Sequence, residues 1–94
     1  MLQVSFVDSF QEAIESANRT RYGLAAGLIS DNDKLFDTFV QDVNAGVINF
    51  NSTTTGASGA FPFGGIGRSG NMRPAGFYSA DYCAWPKASI IKTL

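Results

Sequence analysis

The sequence contains no histidine, only one cysteine, Cys83, and three prolines among its 94 residues. The lack of histidine excludes serine–histidine and cysteine–histidine catalysis within this chain, and a single cysteine excludes an internal disulfide. With so few soft ligands, we predict no metal site. Cys83 lies in the sequence "DYCAW", where the pattern favours a small buried side chain over a reactive thiol.

The chain also lacks an excess of charge of either sign. Seven basic and eight acidic residues leave a net charge of -1, and no lysine–arginine cluster forms a stripe. This balance argues against nucleic acid and anionic lipid as partners. No apolar stretch is long enough to span a bilayer and no signal peptide is visible, so we expect no membrane association and a cytoplasmic location.

Two segments have the pattern of amphipathic helices. The first begins at Ser9, which forms a capping-box pattern with Glu12, and the second begins within "SDND", where acidic residues face the amide groups of the first turn. Gly23 is predicted to close the turn after the first helix, and Gly46 is predicted to end the second helix. The predicted apolar stripes are Phe10, Ala13, Ile14 and Ala17, and then Leu35, Phe36, Phe39, Val40 and Val43.

Three segments have the pattern of strands, namely residues 2–7, 23–30 and 47–51. The second is apolar throughout, which predicts a strand covered on both faces, and the third places Ile48 and Phe50 on one face and Asn49 on the other. The order predicts an α/β fold, a parallel β-α-β-α-β unit. Helices on only one face would leave the other bare, so we expect this unit to belong to a larger domain.

Residues 52–76 form a long loop rich in glycine, serine and threonine, a composition typical of functional loops. A short helix is predicted within residues 75–84. The last residues, "KASIIKTL", are predicted to form a strand with an exposed edge. The predicted division is therefore residues 1–86 as one unit and residues 87–94 as a terminal strand.

The loop contains a G-x-G-x-x-G pattern from Gly65 to Gly70, which is the spacing of a dinucleotide-binding loop. That fingerprint requires a preceding strand and a following helix, whereas Pro62 precedes this loop and Pro74 follows it. We therefore predict no nucleotide here. Two alternatives remain open from the residues alone: a tight structural loop, or a rim around an apolar ligand pocket.

Three stretches together resemble the NAD(P)-dependent aldehyde dehydrogenase family: "ANRTRYGLA", "AGVINFN" and "PFGGIGRSG". The tail "SGNMRPAGFYSADYCAWPKAS" resembles the branch of that family that acts on N-succinylglutamate 5-semialdehyde. Where most members have G-R-E after the S-G pair, this chain has Asn71, Met72 and Arg73. The departure favours that branch over the family in general.

The resemblance implies that residues 1–86 are the C-terminal part of an aldehyde dehydrogenase catalytic domain and that residues 87–94 form an oligomerisation strand. The nucleophilic cysteine, the general-base glutamate and the NAD-binding domain would lie upstream, so no catalytic residue is expected here and the chain alone should be inert. The implied cofactor is NAD bound by that missing part, the implied substrate is a small semialdehyde, and the implied assembly is a homo-oligomer.

Four substrate-binding residues are predicted. If the loop is a pocket rim, Phe61 and Phe63 would be its apolar walls and Asn51 or Ser58 its orienting polar groups. The resemblance adds that Asn51 matches the asparagine that closes the family strand, that Phe63 matches the aromatic residue that walls the aldehyde tunnel, and that Ser58 lies where relatives with acidic substrates have a hydroxyl. Ser58 is a candidate carboxylate contact, with an ordinary loop serine as the alternative. Arg68 and Arg73 could pair with a carboxylate too, but surface or structural pairing is the favoured interpretation.

Two other functions compete with this one. The chain could be part of another acidic-semialdehyde dehydrogenase, such as one for succinate semialdehyde, or a stand-alone α/β module that acts by association.

Overall fold

The computed structural model describes residues 1–72 and 74–94 of the chain. Three helices and six strands follow one another in a fixed order. They are α1 (Phe10–Asn18), β1 (Tyr22–Gly23), β2 (Ala25–Leu28), α2 (Asp33–Asp42), β3 (Val47–Phe50), β4 (Pro62–Phe63), β5 (Ile66–Gly67), β6 (Ala75–Gly76) and α3 (Ser79–Tyr82).

Helix α1 begins where the capping box predicted it. The Glu12 amide donates to Ser9 Oγ at 3.1 Å, and the Asp8 amide donates to Glu12 Oε2 at 2.9 Å. The cap therefore satisfies one free N-terminal amide of the helix, and the Glu12 carboxylate holds the backbone just before the cap. On its inner face Ile14 is 2% exposed, so the predicted apolar stripe is confirmed at its centre.

Helix α2 begins after Asn32, whose Oδ1 accepts from the Lys34 amide at 3.1 Å. Phe39 and Val43 on its inner side are buried, as predicted, while Val40 is 47% exposed and lies off the stripe. Both helices form for local reasons, since each combines a cap with apolar residues spaced by one turn.

Strands β2 and β3 form the parallel pair that positions the two larger helices. Their register places Ala26 opposite Ile48 and Leu28 opposite Phe50. Ala26, Leu28 and Ile48 pack against a core formed by Ile14, Phe39 and Val43. The Phe36 ring stacks on Phe50 with 4.8 Å between ring centroids. The helices therefore cover one face of the pair, and the β-α-β crossover is confirmed.

The predicted third parallel strand is wrong for this chain. Residues 2–7 have no regular secondary structure, and only one parallel pair occurs among the described residues. A strand exists only through hydrogen bonds to a neighbour, and no such neighbour lies beside this segment in the part of the chain described. Leu2 is 87% exposed and Phe6 is 97% exposed.

The prediction that residues 23–30 are covered on both faces is also wrong. Within β2 the residues alternate between exposed and half-buried, so only the helix side is covered. The opposite face of the β2–β3 pair is approached by the loop that follows β3: a Cβ at Gly27 would lie 3.4 Å from Thr54 Cγ2, which is an ordinary contact.

Gly23 and Gly46 do not end helices, because α1 ends at Asn18 and α2 at Asp42. Instead they allow two backbone segments to touch. A Cβ at Gly46 would overlap the carbonyl oxygen of Gly64, and a Cβ at Gly23 would overlap the carbonyl oxygen of Asn44. Glycine is required at Gly46 because a neighbouring backbone occupies the place of the side chain.

The long predicted loop contains short antiparallel pairings. Strand β5 pairs with β1, which places Gly67 opposite Tyr22, and β4 pairs with β6, which places Phe63 opposite Ala75. The short helix expected within residues 75–84 is confirmed as α3.

Residues 87–94 have no regular secondary structure, so the terminal strand is not present in this chain. Ile90 is 91% exposed and Ile91 is 89% exposed. A strand at this position needs a partner edge, and no described residue provides one. The role of residues 87–94 in oligomerisation stays a prediction, as does the division at residue 86.

The molecule is elongated, with principal extents of 74 × 27 × 21 Å and a radius of gyration of 18.6 Å. A compact chain of this length has a radius of about 12 Å. None of the helices in the described part of the chain is long and apolar enough to cross a membrane.

Candidate functional site

A cavity of about 420 Å³ lies between β3 and the segment 56–63. Its size is within the range of small-molecule sites. Backbone and apolar side chains form most of its surface. The side chains that line it include Val47, Ile48, Asn49, Ser58, Phe61 and Phe63. Three of the four residues predicted to bind substrate therefore come together in one cavity.

Phe61 and Phe63 form the aromatic part of the lining. Phe63 belongs to β4, and the pairing of β4 with β6 fixes its backbone, while Phe61 lies just before that strand. The two side chains remain 67% and 38% exposed, respectively. Aromatic rings held at the mouth of a cavity offer apolar surface to an entering ligand.

Ser58 is positioned by a tight turn. The Ala60 amide donates to Ser58 Oγ at 3.2 Å, and the Phe61 amide donates to the Ser58 carbonyl at 3.1 Å. Because the Oγ lone pair is used by the turn, the hydroxyl hydrogen is the group left to donate. A hydroxyl in this state can donate to a carboxylate oxygen.

Asn51 lies outside the cavity and binds backbone instead. The Ser30 amide donates to Asn51 Oδ1 at 2.9 Å, and Asn51 Nδ2 donates to the Ser30 carbonyl at 2.8 Å. Asn51 also has φ 49°, a left-handed conformation that asparagine tolerates better than most residues. It joins the ends of β2 and β3 and sets the direction of the loop that follows. A substrate contact by this residue stays a prediction.

Asn49 lines the cavity and was not among the residues predicted to bind substrate. It lies on the face of β3 opposite Ile48 and Phe50, as the alternation predicted, and its Nδ2 donates to the Thr53 carbonyl at 2.6 Å. An available signal was an asparagine between two apolar residues of a short strand, because asparagine is depleted in strands. The sequence did not show what would cover that face.

The glycine loop does not have the geometry of a dinucleotide site. A Cβ at Gly70 would overlap the carbonyl of Gly65, and a Cβ at Gly65 would lie 2.6 Å from Ser69 Cβ. Ser69 Oγ in turn accepts from the Gly23 amide at 3.1 Å. These glycines therefore allow close packing of the protein on itself, and the segment does not open a helix. The packing of this loop therefore does not fit NAD.

Other polar candidates lie elsewhere. Cys83 is exposed, which corrects the expectation of burial: it follows α3, where the chain leaves the body of the molecule. The Arg68 amide donates to the Arg21 carbonyl at 2.8 Å, which fixes the loop backbone. Arg73 lies outside the described residues. No group of three side chains suited to a metal ion occurs among the residues that are described.

The fold and the cavity define an α/β segment that presents aromatic residues and a serine hydroxyl beside a parallel strand pair. The chain belongs to the aldehyde dehydrogenase family, whose family model matches residues 1–88.

Within that family, curated relatives named for a single activity are similar over nearly the whole chain. The N-succinylglutamate 5-semialdehyde dehydrogenase 2 of Caulobacter vibrioides is 58% identical over 90 residues, which cover 96% of this chain and 19% of that protein. The N-succinylglutamate 5-semialdehyde dehydrogenase of Escherichia coli is 52% identical over 90 residues, covering 96% of this chain and 18% of that protein. The chain thus spans about a fifth of the length of these relatives.

Solved structures of the family match the fold. A salicylaldehyde dehydrogenase from Pseudomonas putida G7, complexed with salicylaldehyde, has a TM-score of 0.74 at 25% identity. The match covers 81% of this chain and 16% of the chain of that enzyme. Aldehyde dehydrogenase 21 from Physcomitrella patens, in complex with the reaction product succinate, has a TM-score of 0.72 at 25% identity. This match covers 80% of this chain and 16% of the chain of that enzyme. An NAD-dependent aldehyde dehydrogenase from Sinorhizobium meliloti has a TM-score of 0.71 at 32% identity, and the match covers 80% of this chain and 15% of the chain of that enzyme.

Proposed function

We propose that this chain is the substrate-side segment of an enzyme that oxidises N-succinylglutamate 5-semialdehyde to N-succinylglutamate with NAD, a reaction of arginine breakdown. The observation that supports the proposal most directly is the cavity beside β3, in which Phe61, Phe63 and the Ser58 hydroxyl are brought together. Identity of 58% and 52% to relatives named for this activity supports the choice of substrate.

In this proposal the chain's own residues bind and orient the substrate. The phenyl rings of Phe61 and Phe63 contact the aliphatic part of the semialdehyde and exclude water, and the Ser58 hydroxyl donates to a substrate carboxylate. Asn51 has no direct contact in this arrangement; it holds the start of the loop through Ser30. Such binding residues affect KM and substrate choice more than the chemical step.

The reacting groups belong to the rest of the protein in this proposal. The attacking thiolate, the general base and the NAD site lie upstream, and NAD accepts the hydride of the aldehyde when bound there. Since Cys83 is exposed and does not line the cavity, it has no part in the reaction. The chain alone is proposed to be inert, and the complete enzyme is proposed to be a cytoplasmic homo-oligomer joined through residues 87–94.

A second candidate is the oxidation of succinate semialdehyde. It is favoured by one observation, the succinate held by the Physcomitrella patens enzyme with a TM-score of 0.72. The two substrates share a terminal aldehyde and a carboxylate but differ in the amide-linked succinyl group, which only the first contains.

The experiment that tests the proposal is an assay of the complete protein encoded by the gene that contains this segment. NADH formation is followed with N-succinylglutamate 5-semialdehyde, succinate semialdehyde and a neutral aldehyde of similar length. We expect the highest kcat/KM with N-succinylglutamate 5-semialdehyde. A higher kcat/KM with succinate semialdehyde would establish the second candidate.

The 94-residue chain, assayed under the same conditions, is expected to form no NADH. Sequencing the gene upstream of the Met1 codon is the companion measurement. A stop codon directly before Met1 would contradict the proposal and favour a stand-alone α/β module that acts by association.

A further inference from the structure

We propose that Asn49 determines substrate choice by pairing its carboxamide with the amide group of an N-acylated semialdehyde. The inference rests on the proposed function and adds a recognition group to the same cavity. Asn49 and Ser58 are the polar side chains in the cavity lining, which otherwise consists of glycine and apolar residues. A polar group in such a lining fixes the orientation of a ligand.

The orientation of the Asn49 carboxamide is fixed by its partner. The group 2.6 Å away is the Thr53 carbonyl oxygen, which can only accept a hydrogen bond. The amide nitrogen Nδ2 must therefore face Thr53, and the side-chain oxygen Oδ1 must point away from Thr53 on the other side of the carboxamide. The bond also shows why the side chain keeps one rotamer: the loop backbone holds it in place.

After this bond is made, the carboxamide has one N–H and its oxygen left to offer. Nδ2 has two hydrogens, of which Thr53 takes one, and no group among residues 1–72 and 74–94 donates to Oδ1. A half-buried amide with one unused donor and one unused acceptor is complementary to a secondary amide, which presents one N–H and one carbonyl.

An N-acylated semialdehyde contains that secondary amide together with carboxylates. Ser58, the other polar side chain of the lining, has its hydroxyl hydrogen left for a carboxylate, as the turn geometry indicates. The two residues thus divide the recognition between them: Asn49 takes the amide and Ser58 takes the negative charge. A semialdehyde without an amide would leave the Asn49 groups unpaired, and a site built to hydrogen-bond a group discriminates against ligands that lack it.

The test uses the complete enzyme and the variant Asn49→Leu, which keeps the branched shape and the number of side-chain heavy atoms and removes both hydrogen-bonding groups. We expect kcat/KM for N-succinylglutamate 5-semialdehyde to fall about tenfold and kcat/KM for succinate semialdehyde to stay unchanged, so the ratio of the two collapses. An equal fall for both substrates would overturn the inference, because it would mean that Asn49 only supports the loop through Thr53.

Thr55→Val is the matched control. Thr55 lies in the same loop, its Oγ1 is 2.9 Å from Thr53 Oγ1, and it does not line the cavity. The variant removes a loop hydrogen bond without touching the amide site. We expect it to leave the ratio of kcat/KM values unchanged, and a ratio shifted as far as in Asn49→Leu would contradict a specific role for Asn49.

A second measurement does not depend on folding of any variant. The wild-type enzyme is given a substrate analogue in which an ester oxygen replaces the amide N–H. We expect kcat/KM to be about tenfold lower than for the amide, since the donor to Asn49 Oδ1 is lost. Equal values for ester and amide would overturn the inference while leaving the proposed function intact. If the enzyme oxidised succinate semialdehyde but turned over neither the ester nor the amide, both the inference and the proposed function would be overturned.

Discussion

At the scale of single residues, the polar side chains near the cavity differ in how much of their hydrogen-bonding capacity is already used. The side-chain amide of Asn51 binds the Ser30 backbone through both its oxygen and its nitrogen, and that of Asn49 binds backbone only through its nitrogen, at Thr53. Ser58 Oγ accepts from Ala60 and retains its proton. A side chain that can recognise substrate therefore differs from one that only supports the loop in the hydrogen-bonding groups that the fold leaves unused, and not in its residue type.

The first prediction concerns Ser58→Ala in the complete enzyme. Loss of the hydroxyl donor should lower kcat/KM for carboxylate-bearing aldehydes by roughly three- to tenfold, the value of one hydrogen bond, and leave a neutral aldehyde unaffected. Steady-state kinetics with both substrates measure this. Ser52→Ala, the same change in the same loop outside the cavity lining, is the control; equal effects in the two variants would contradict a direct contact.

The second prediction concerns Gly46→Ala. The added methyl group would overlap the Gly64 carbonyl and force the start of β3 away from the glycine loop, which should cost about 1–3 kcal/mol of stability. The thermal midpoint of the complete protein reports the loss. Gly59→Ala is the matched control, because nothing lies within 4 Å of a Cβ there. A similar drop at Gly59 would show that the contact at Gly64 is not the cause.

At the scale of elements, the helices and the parallel β2–β3 pair were predictable from the sequence, and the first predicted strand was not. A capping residue such as Ser9 and apolar residues one turn apart act within about ten residues, so pattern alone identified α1 and α2. Residues 2–7 have the pattern of a strand, yet a strand requires a distant partner. The sequence predicts a turn closed at Gly23 and a helix end at Gly46, because the contacts that require glycine at these positions lie far along the chain.

The residues of the candidate site were likewise predicted only in part. Phe61 was identified from the aromatic residues beside the glycine run, and Ser58 and Phe63 also through resemblance to a family; all three line one cavity. Asn49 was missed because alternation assigns a residue to a face without saying what covers it. The covering segment folds back over β3 through the turn at Asn51, whose φ of 49° no sequence pattern specified.

The third prediction belongs to α1. Ser9→Ala removes the acceptor of the Glu12 amide and should destabilise the helix by about 1 kcal/mol. Ser16→Ala is the same change inside the same helix, where it should be neutral or slightly stabilising because alanine is the better helix former. Thermal midpoints of both variants check this, and equal midpoints for the two would contradict the capping role.

At the scale of the whole molecule, the exposed surface is large for the length of the chain. The accessible area is 8156 Å², whereas a compact chain of this size exposes about 5,200 Å². Only Ile14, Phe39 and Val43 are buried hydrophobic residues among those described. Much apolar surface, including Phe6 and Ile90, therefore has no cover within the chain.

The fourth prediction follows from that surface. The 94-residue chain on its own should self-associate and bind a hydrophobic dye, because uncovered apolar area drives association. Sedimentation velocity at several concentrations measures the association. A single monomeric species with sharp cooperative unfolding would contradict the prediction and favour the stand-alone module.

The double hydrogen bond between Asn51 and Ser30 also bears on how the protein ages. Hydrolysis of the Asn51 side chain to aspartate would replace its N–H donor with an oxygen, which would then face the Ser30 carbonyl at the 2.8 Å position. One attractive contact would become a repulsive one without any change in the gene. Slow deamidation at this asparagine would therefore loosen the loop over the cavity in old protein while newly made protein remained intact.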